Sequence, residues 1–351
     1  MMHDQVTNES SKMLSVLRPS NVPGARDVAV VICAYTEERW ADLLAAVESV
    51  QRQSAPPGEI VVVIDNNRCL FKRARAQMQE VLVIENTDAP GLSGARNSGI
   101  AATTTAVVAF LDDDAAAEPN WLALLIKGYD HPNVVGVGGA ILPVWRGGHP
   151  RWFPDEFNWV VGCTYRGMPT EMAAVRNLIG ANMSFRREVF ERVGLFQTGV
   201  GQVGGGMLRC DDTEFCIRVL QRWPGSAMCY NPTLRVRHMV PASRGRWSYF
   251  KTRCYTEGLA KVLISRIAGA RDGLSSERAY TFRTLPLGVL RGLGDAVLRG
   301  DVSGLGRAAA IIAGLALTTT GFLVGTLDQR FSIQAMASRA RRMFRSLHRS
   351  S

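Results

Sequence analysis

Apolar positions in the early part of the chain come in short unbroken blocks separated by amphipathic stretches. "DVAVVICAY" (Asp27 to Tyr35) and "EIVVVIDNN" (Glu59 to Asn67) are β-branched runs, and "EERWADLLAAVESVQRQS" between them repeats Leu43, Leu44, Val47 and Val50 at helical spacing. Unbroken apolar strands are those covered on both faces, so the pattern predicts a β-α-β unit with buried parallel strands. A strand at "VLVIEN" (Val81 to Asn86), a helix opening near "SGARNSGIAA" and a strand at "AVVAFL" (Ala106 to Leu111) continue the alternation. Ligands of such sheets gather beyond the carboxyl ends of the strands. Asp65, Glu85 and the run Asp112, Asp113, Asp114 all fall there.

After Pro119 the pattern becomes mixed. A helix near "NWLALLIKGY", a glycine-rich strand "VVGVGGAIL", a Trp- and Pro-containing loop from Pro143 to Gly162 and the stretch "GANMSFRREVFERVGLF" read as an acceptor-side half built on the same sheet. "DDTEFCIRVLQRWPG" is a helix, with Phe215, Val219 and Leu220 on one face and Pro224-Gly225 ending it. Asp211 and Asp212 then stand at its N-terminus, where the helix dipole favours carboxylates. An N-cap role is the plain alternative for that pair.

Ala308 to Leu327 is twenty residues without a charge, long enough to span a bilayer. The stretch after Asp328 holds Arg330, Arg339, Arg341, Arg342, Arg345 and Arg349 and no acid, which marks it as cytoplasmic. With a cytoplasmic domain upstream, one full crossing is inconsistent, whereas a re-entrant or interfacial element satisfies both ends. Leu290, Leu293 and Val297 opposite Arg291, Asp295 and Arg299 form an amphipathic helix before it. The alternative is an ordinary helix packed on the catalytic domain.

With 46% hydrophobic and 21% charged residues among 351, the chain can bury a substantial core. A net charge of +10 points to a polyanionic partner without choosing among nucleic acid, anionic lipid and phosphorylated small molecules. Seven cysteines never spaced as C-x-x-C argue against a disulfide framework or structural zinc. The polar N-terminus lacks an apolar stretch of signal-peptide length and reads as a mobile arm.

Asp112 and Asp114 form a D-x-D at a strand end, which suits a divalent cation held by oxygen ligands that keeps positions open for a diphosphate. An acidic turn is the bland reading; a calcium loop is excluded by Ala115 and Ala116. "GLSGARNSGIA" (Gly91 to Ala101) adds small residues for close backbone approach, a helix N-terminus for phosphate and the guanidinium of Arg96. "GVGQVG" (Gly199 to Gly204) matches G-x-G-x-x-G but lacks a preceding strand, so it reads as a mobile loop and lid.

In order, "VVICAYTEE", "EIVVVIDNN", "GLSGARNSGIA", "AFLDDDAAAEPNWL", "GANMSFRREVFERVG" and "CDDTEF" resemble the family 2 glycosyltransferases over about Val28 to Glu257. The resemblance implies an α/β GT-A fold, a Rossmann-like mixed sheet flanked by helices; the apolar, arginine-rich C-terminus adds the expectation of a helical, membrane-associated C-terminal segment. It implies a metal-dependent inverting enzyme of hexosyltransferase type, using Mg²⁺ or Mn²⁺ and a nucleotide-diphosphate sugar donor. Carried over by position, Glu37 and Asp65 contact the nucleoside, Arg96 lies near base or phosphates, Asp112 and Asp114 serve ribose, diphosphate and metal, with Asp114 the direct ligand, and Asp113 supports the turn or the donor ribose. Asp212 is the base, Asp211 orients it or holds an acceptor hydroxyl, and His238 helps the metal or diphosphate. Asn182, Arg186 and Arg187 match the acceptor stretch, and Trp145, Trp152 and Trp159 are sugar-stacking or core residues. Cys33, Thr36, Asp65-Asn66-Asn67 and Asp211 depart from the usual Pro, Asn, D-D-G-S and Glu, which blurs donor-base identity.

The expected organisation is an arm (1–26), a catalytic domain (27–260) with donor half 27–120 and acceptor half 121–260, and a membrane-associated helical region with a basic tail (261–351). The expected partners are a nucleotide sugar, a glycan or lipid-linked acceptor and the cytoplasmic face of the cell membrane in envelope glycan synthesis, and not nucleic acid. Competing readings are a sugar-phosphate nucleotidyltransferase, which would carry an early G-x-G-T-R-like loop, and a non-catalytic protein that binds anionic lipid or nucleic acid.

Overall fold

The computed structural model describes residues 23–198, 210–269 and 279–327. Most of the N-terminal arm, the "GVGQVG" loop and the basic tail lie outside them.

Among the described residues, nine strands form one mixed sheet: β1 (Val28–Ala34), β2 (Glu59–Ile64), β3 (Leu82–Glu85), β4 (Val107–Asp112), β5 (Ala115–Ala117), β6 (Val134–Trp145), β7 (Ala173–Val175), β8 (Asn182–Arg186) and β9 (Ala227–Val240). Their order is β3-β2-β1-β4-β8-β6-β9-β5, with β7 also paired to β9. The pairs within β3-β2-β1-β4 are parallel, and β8 runs antiparallel to both β4 and β6. The first four strands are the expected parallel block. The short β5 and β7 are additions that three-residue runs cannot announce by periodicity.

Side chains of β1 alternate between two cores. Val28, Val30 and Ile32 join α1 (Trp40–Gln51) on one face, and Val31 joins α3 (Leu92–Ala101) on the other. Each buried aliphatic side chain contributes roughly 1.5–3 kcal/mol, which is why the run carries no polar residue. On α1 the buried face is Trp40, Leu43, Ala46, Val47 and Val50, while the expected Leu44 is exposed.

The donor half adds α2 (Arg68–Gln77) to the flanks, and the acceptor half α4 (Trp121–Lys127), α5 (Arg187–Val193) and α6 (Asp211–Arg222). α7 (Trp247–Ala268) runs unbroken across residue 260, so no structural break marks the expected domain end there. A π-helical turn (Tyr280–Thr284), α8 (Leu285–Leu298) and α9 (Ser303–Leu327) follow.

Among the described residues α9 is the one helix long and apolar enough to cross a membrane. It packs along α7 and α8. A Cβ at Gly321 would overlap the backbone oxygen of Tyr255 in α7, one at Gly258 the oxygen of Thr318, and one at Gly292 the oxygen of Gly304. Glycines at these crossings bring α7, α8 and α9 into backbone contact.

Candidate active site

Register carries the acids to one place. Cys33 pairs with Asp112 at the carboxyl edge of β1 and β4, and the antiparallel pairing of β5 with β9 sets Ala115 opposite His238. The backbone N–H of Met239 donates to the Asp114 carbonyl at 2.8 Å, which locks that register. His238 Nε2 then lies 3.1 Å from Asp114 Oδ1, with both side chains buried. One donor atom each from Asp112, Asp114 and His238 lies within 4.8 Å of the others.

Two arginines that motif reading missed complete this wall. Arg39 Nη1 stands 2.8 Å from Asp113 Oδ1 and 3.2 Å from Asp114 Oδ2, and Arg244 Nη2 stands 3.8 Å from Asp114 Oδ2. Arg39 follows β1 in "TEERW", so position just past a strand end was its only signal. Burial disfavours the charged carboxylate of Asp114, but His238, Arg39 and Arg244 outweigh it and hold the group well below the usual carboxylate range. Burial raises Asp113 despite Arg39, with Asp114 and Asp112 adding to the effect. Burial works against the His238 imidazolium, and the attraction of Asp114 overrides it, so the ring is raised to about 10. Among the described residues, Asp113 Oδ2 and Arg244 Nη1 are buried without a hydrogen-bond partner, although buried polar atoms are nearly always satisfied. Both residues line the cavity, so a polar ligand there would satisfy them.

The opposite wall comes from α6. Asp212 is not the N-cap, which is Cys210; its Oδ2 accepts from Gly180 N at 2.9 Å and its Oδ1 from Thr213 N at 2.7 Å. Burial and the neighbouring Asp211 charge lift it to about 6, against the pull of Arg96. Arg96 Nη1 donates to Asp211 Oδ2 at 2.7 Å, and Arg96 Nη2 lies 3.8 Å from Asp112 Oδ1. Arg96, expected beside the base or phosphates, bridges the two carboxylate groups. Gly180 makes room for it, since a Cβ there would overlap Arg96 Nη2.

A cavity of about 800 Å³ joins these walls and is lined by Asp65, Arg96, the three aspartates, Asp211, Asp212 and His238. Gly91, at φ 120°, turns the chain into α3 and donates its N–H to Asp65 Oδ2 at 2.9 Å. Glu37 is exposed on the short 3₁₀ turn Glu37–Arg39 and is not among the lining residues; Tyr35 and Arg39 line the cavity beside it. The far end is walled by Ile264 of α7 and by Leu315, Thr318, Thr319 and Phe322 of α9.

Several expected acceptor residues serve the framework. Asn182 accepts from Trp121 Nε1 at 2.8 Å and donates to the carbonyls of Ala140 and Leu234. Arg186 donates to the carbonyls of Val134 and Tyr129, and Arg187 to that of Thr105 and to Thr103 Oγ1. Trp145 and Trp152 pack edge-on against Phe153 or Trp247, and of the three tryptophans only Trp159 lines the cavity.

The chain belongs to glycosyl transferase family 2. The family's sequence model matches residues 29–194. A glucosyl-dolichyl phosphate glucuronosyltransferase of Haloferax volcanii is 36% identical over 241 residues, covering 68% of this chain and 77% of that protein. A pre-mycofactocin glycosyltransferase of Mycobacterium tuberculosis is 26% identical over 248 residues, and the chain spans only 49% of its length. A Pyrobaculum calidifontis mannosyltransferase, solved with GDP-Man and Mn²⁺, superposes with a TM-score of 0.52 at 18% identity over 93% of this chain and 95% of that one. The fold is thus the expected GT-A fold, and the family sets aside the nucleotidyltransferase and binding-only readings.

Proposed function

We propose that this protein transfers a sugar, with inversion at the anomeric carbon, from a nucleoside diphosphate sugar to a hydroxyl of a lipid-linked glycan. The observation that carries the reading is the opposition of two acidic walls across one cavity, Asp112-Asp114-His238 on one side and Asp212 on the other.

The two carboxylates of this donor set suit Mn²⁺ or Mg²⁺, and His238 would add an imidazole nitrogen once a cation displaces its proton. A divalent cation held by Asp112, Asp114 and His238 would supply positive charge beside the diphosphate. Arg244 and its unpartnered Nη1 would hold a phosphate oxygen and stabilise the charge that develops as the nucleoside diphosphate leaves. Asp113 Oδ2 and Asp65 would hold donor hydroxyls.

Asp212 would accept the proton of the acceptor hydroxyl as that oxygen bonds to the anomeric carbon and the bond from that carbon to the diphosphate oxygen breaks. A single displacement needs no covalent sugar intermediate. An already ionised phosphate acceptor would need no base, so Asp212 favours a sugar hydroxyl. The Haloferax relative, named for a glucosyl-dolichyl phosphate acceptor, supports a sugar carried on a lipid phosphate.

The test is a screen of UDP-, GDP- and dTDP-sugars with Mn²⁺ or Mg²⁺, reading nucleoside diphosphate release and product anomeric configuration by NMR. Metal-dependent release with an inverted product is expected. Release of pyrophosphate, a retained configuration, or no turnover of any nucleotide sugar would overturn the reading.

A further inference from the structure

Helix α8 presents an apolar strip to solvent beside a half-exposed arginine. Its buried positions are Leu285, Gly288 and Gly292, and its two charged residues are paired: Arg291, 42% exposed, meets buried Glu156 at 2.6 Å, and Asp295 meets Arg307 of α9 at 2.9 Å. The outward strip carries Leu290 at 63% exposure, Val297 at 79% and Leu298 at 85%, and the exposed arginines beside it, Arg291 and Arg299, are paired with Glu156 and Asp295. The strip continues through Val302 and Leu305 into α9, whose solvent-facing positions include Ile312, Leu323 and Leu327. Arg307, the one ionisable residue of α9, is spent on Asp295 and Asp301. Apolar strips of this extent mark contact surfaces.

We propose that the outer faces of α8 and α9 dock on the surface of a bilayer containing anionic lipid, without crossing it. Charge selects this occupant: the chain carries +10, and residues 328–351, which follow the strip directly, hold six arginines and one acid. An uncharged strip next to a basic segment is the composition of an interfacial anchor, in which apolar burial and headgroup attraction add. Packing supports a surface position over a crossing, because α9 approaches the backbone of α8 at Gly304 and that of α7 at Gly321. The inner face of α9 walls the far end of the cavity through Leu315 and Phe322, so docking would set that end beside the membrane plane. The proposal is independent of the transfer chemistry, since vesicle binding requires no turnover.

The test is flotation of the purified full chain with phosphatidylcholine vesicles containing or lacking about a third phosphatidylglycerol, for the wild type and for Leu290→Ser/Val297→Ser/Leu323→Ser. Wild-type protein should float with anionic vesicles and more weakly with neutral ones. The triple variant should partition at least roughly a hundredfold less while binding nucleoside diphosphate with Mn²⁺ unchanged, since each apolar side chain removed from lipid weakens partition about tenfold. Hydrogen exchange on unmodified protein should show added protection of peptides from 285–327 on vesicles. Failure of the wild type to float, binding by the triple variant equal to wild type, or a wild-type dimer that the substitutions convert to monomer without vesicle binding would each overturn the proposal. Loss of nucleotide binding by wild type would instead count against the proposed function and leave flotation unaffected.

Discussion

Arg96 donates a 2.7 Å hydrogen bond to Asp211, 115 positions later in the chain, and both side chains are buried. The pair ties the helix that follows β3 to the helix that bears the proposed base. Removing the cation would strand a buried carboxylate. Arg96→Met should therefore lower unfolding free energy by about 3–5 kcal/mol, measured by urea denaturation. A loss below about 1 kcal/mol would mean that the pair is no structural tie.

Asp212 titrates at about 6 because burial and Asp211 disfavour its charged form. A base works only as the carboxylate, so kcat/KM should be flat above pH 6 and fall roughly tenfold per unit below it. Asp211→Asn removes a negative neighbour, which lowers the Asp212 pKa and moves the acid limb to lower pH. Asp212→Asn should reduce kcat by about 10²–10⁴ with nucleotide affinity retained. An acid limb that persists in Asp212→Asn would assign it to another group.

The cluster of Asp112, Asp114 and His238 makes metal dependence testable without a known sugar. Chelation should remove nucleoside diphosphate binding, and Mn²⁺ should restore it. His238→Ala should weaken Mn²⁺ at least about tenfold, read by titration calorimetry. Asp114→Ala should do more, since it also releases Arg39 and Arg244 from their shared carboxylate.

At Gly321 any side chain must enter the backbone of α7 at Tyr255. Gly321→Leu should cost roughly 1–3 kcal/mol by overpacking and lower the thermal midpoint. Because α9 also walls the cavity, acceptor KM should rise while donor binding holds. An unchanged midpoint would place α9 away from the domain.

Much of this protein is legible along the chain. The parallel block from β1 to β4 follows from apolar runs that only a doubly covered sheet can bury. The acids at strand ends follow from the same pattern, because polar side chains must begin where the buried sheet edge ends. Motif order added Asp212 and His238. Tertiary structure alone decided what each group touches. Arg39 reaches Asp113 and Asp114 through a turn with no periodic signal, and Arg96 meets Asp211 through a contact that local sequence cannot encode. Asn182 and Arg187 look like site residues by motif, yet their polar atoms satisfy buried backbone groups. The amphipathic spacing of Leu290, Leu293 and Val297 was plain in the sequence, but periodicity gives two faces without saying which is buried. That choice fell to Gly288 and Gly292, which allow close helix contact, and to the partners that Arg291 and Asp295 find in Glu156 and Arg307.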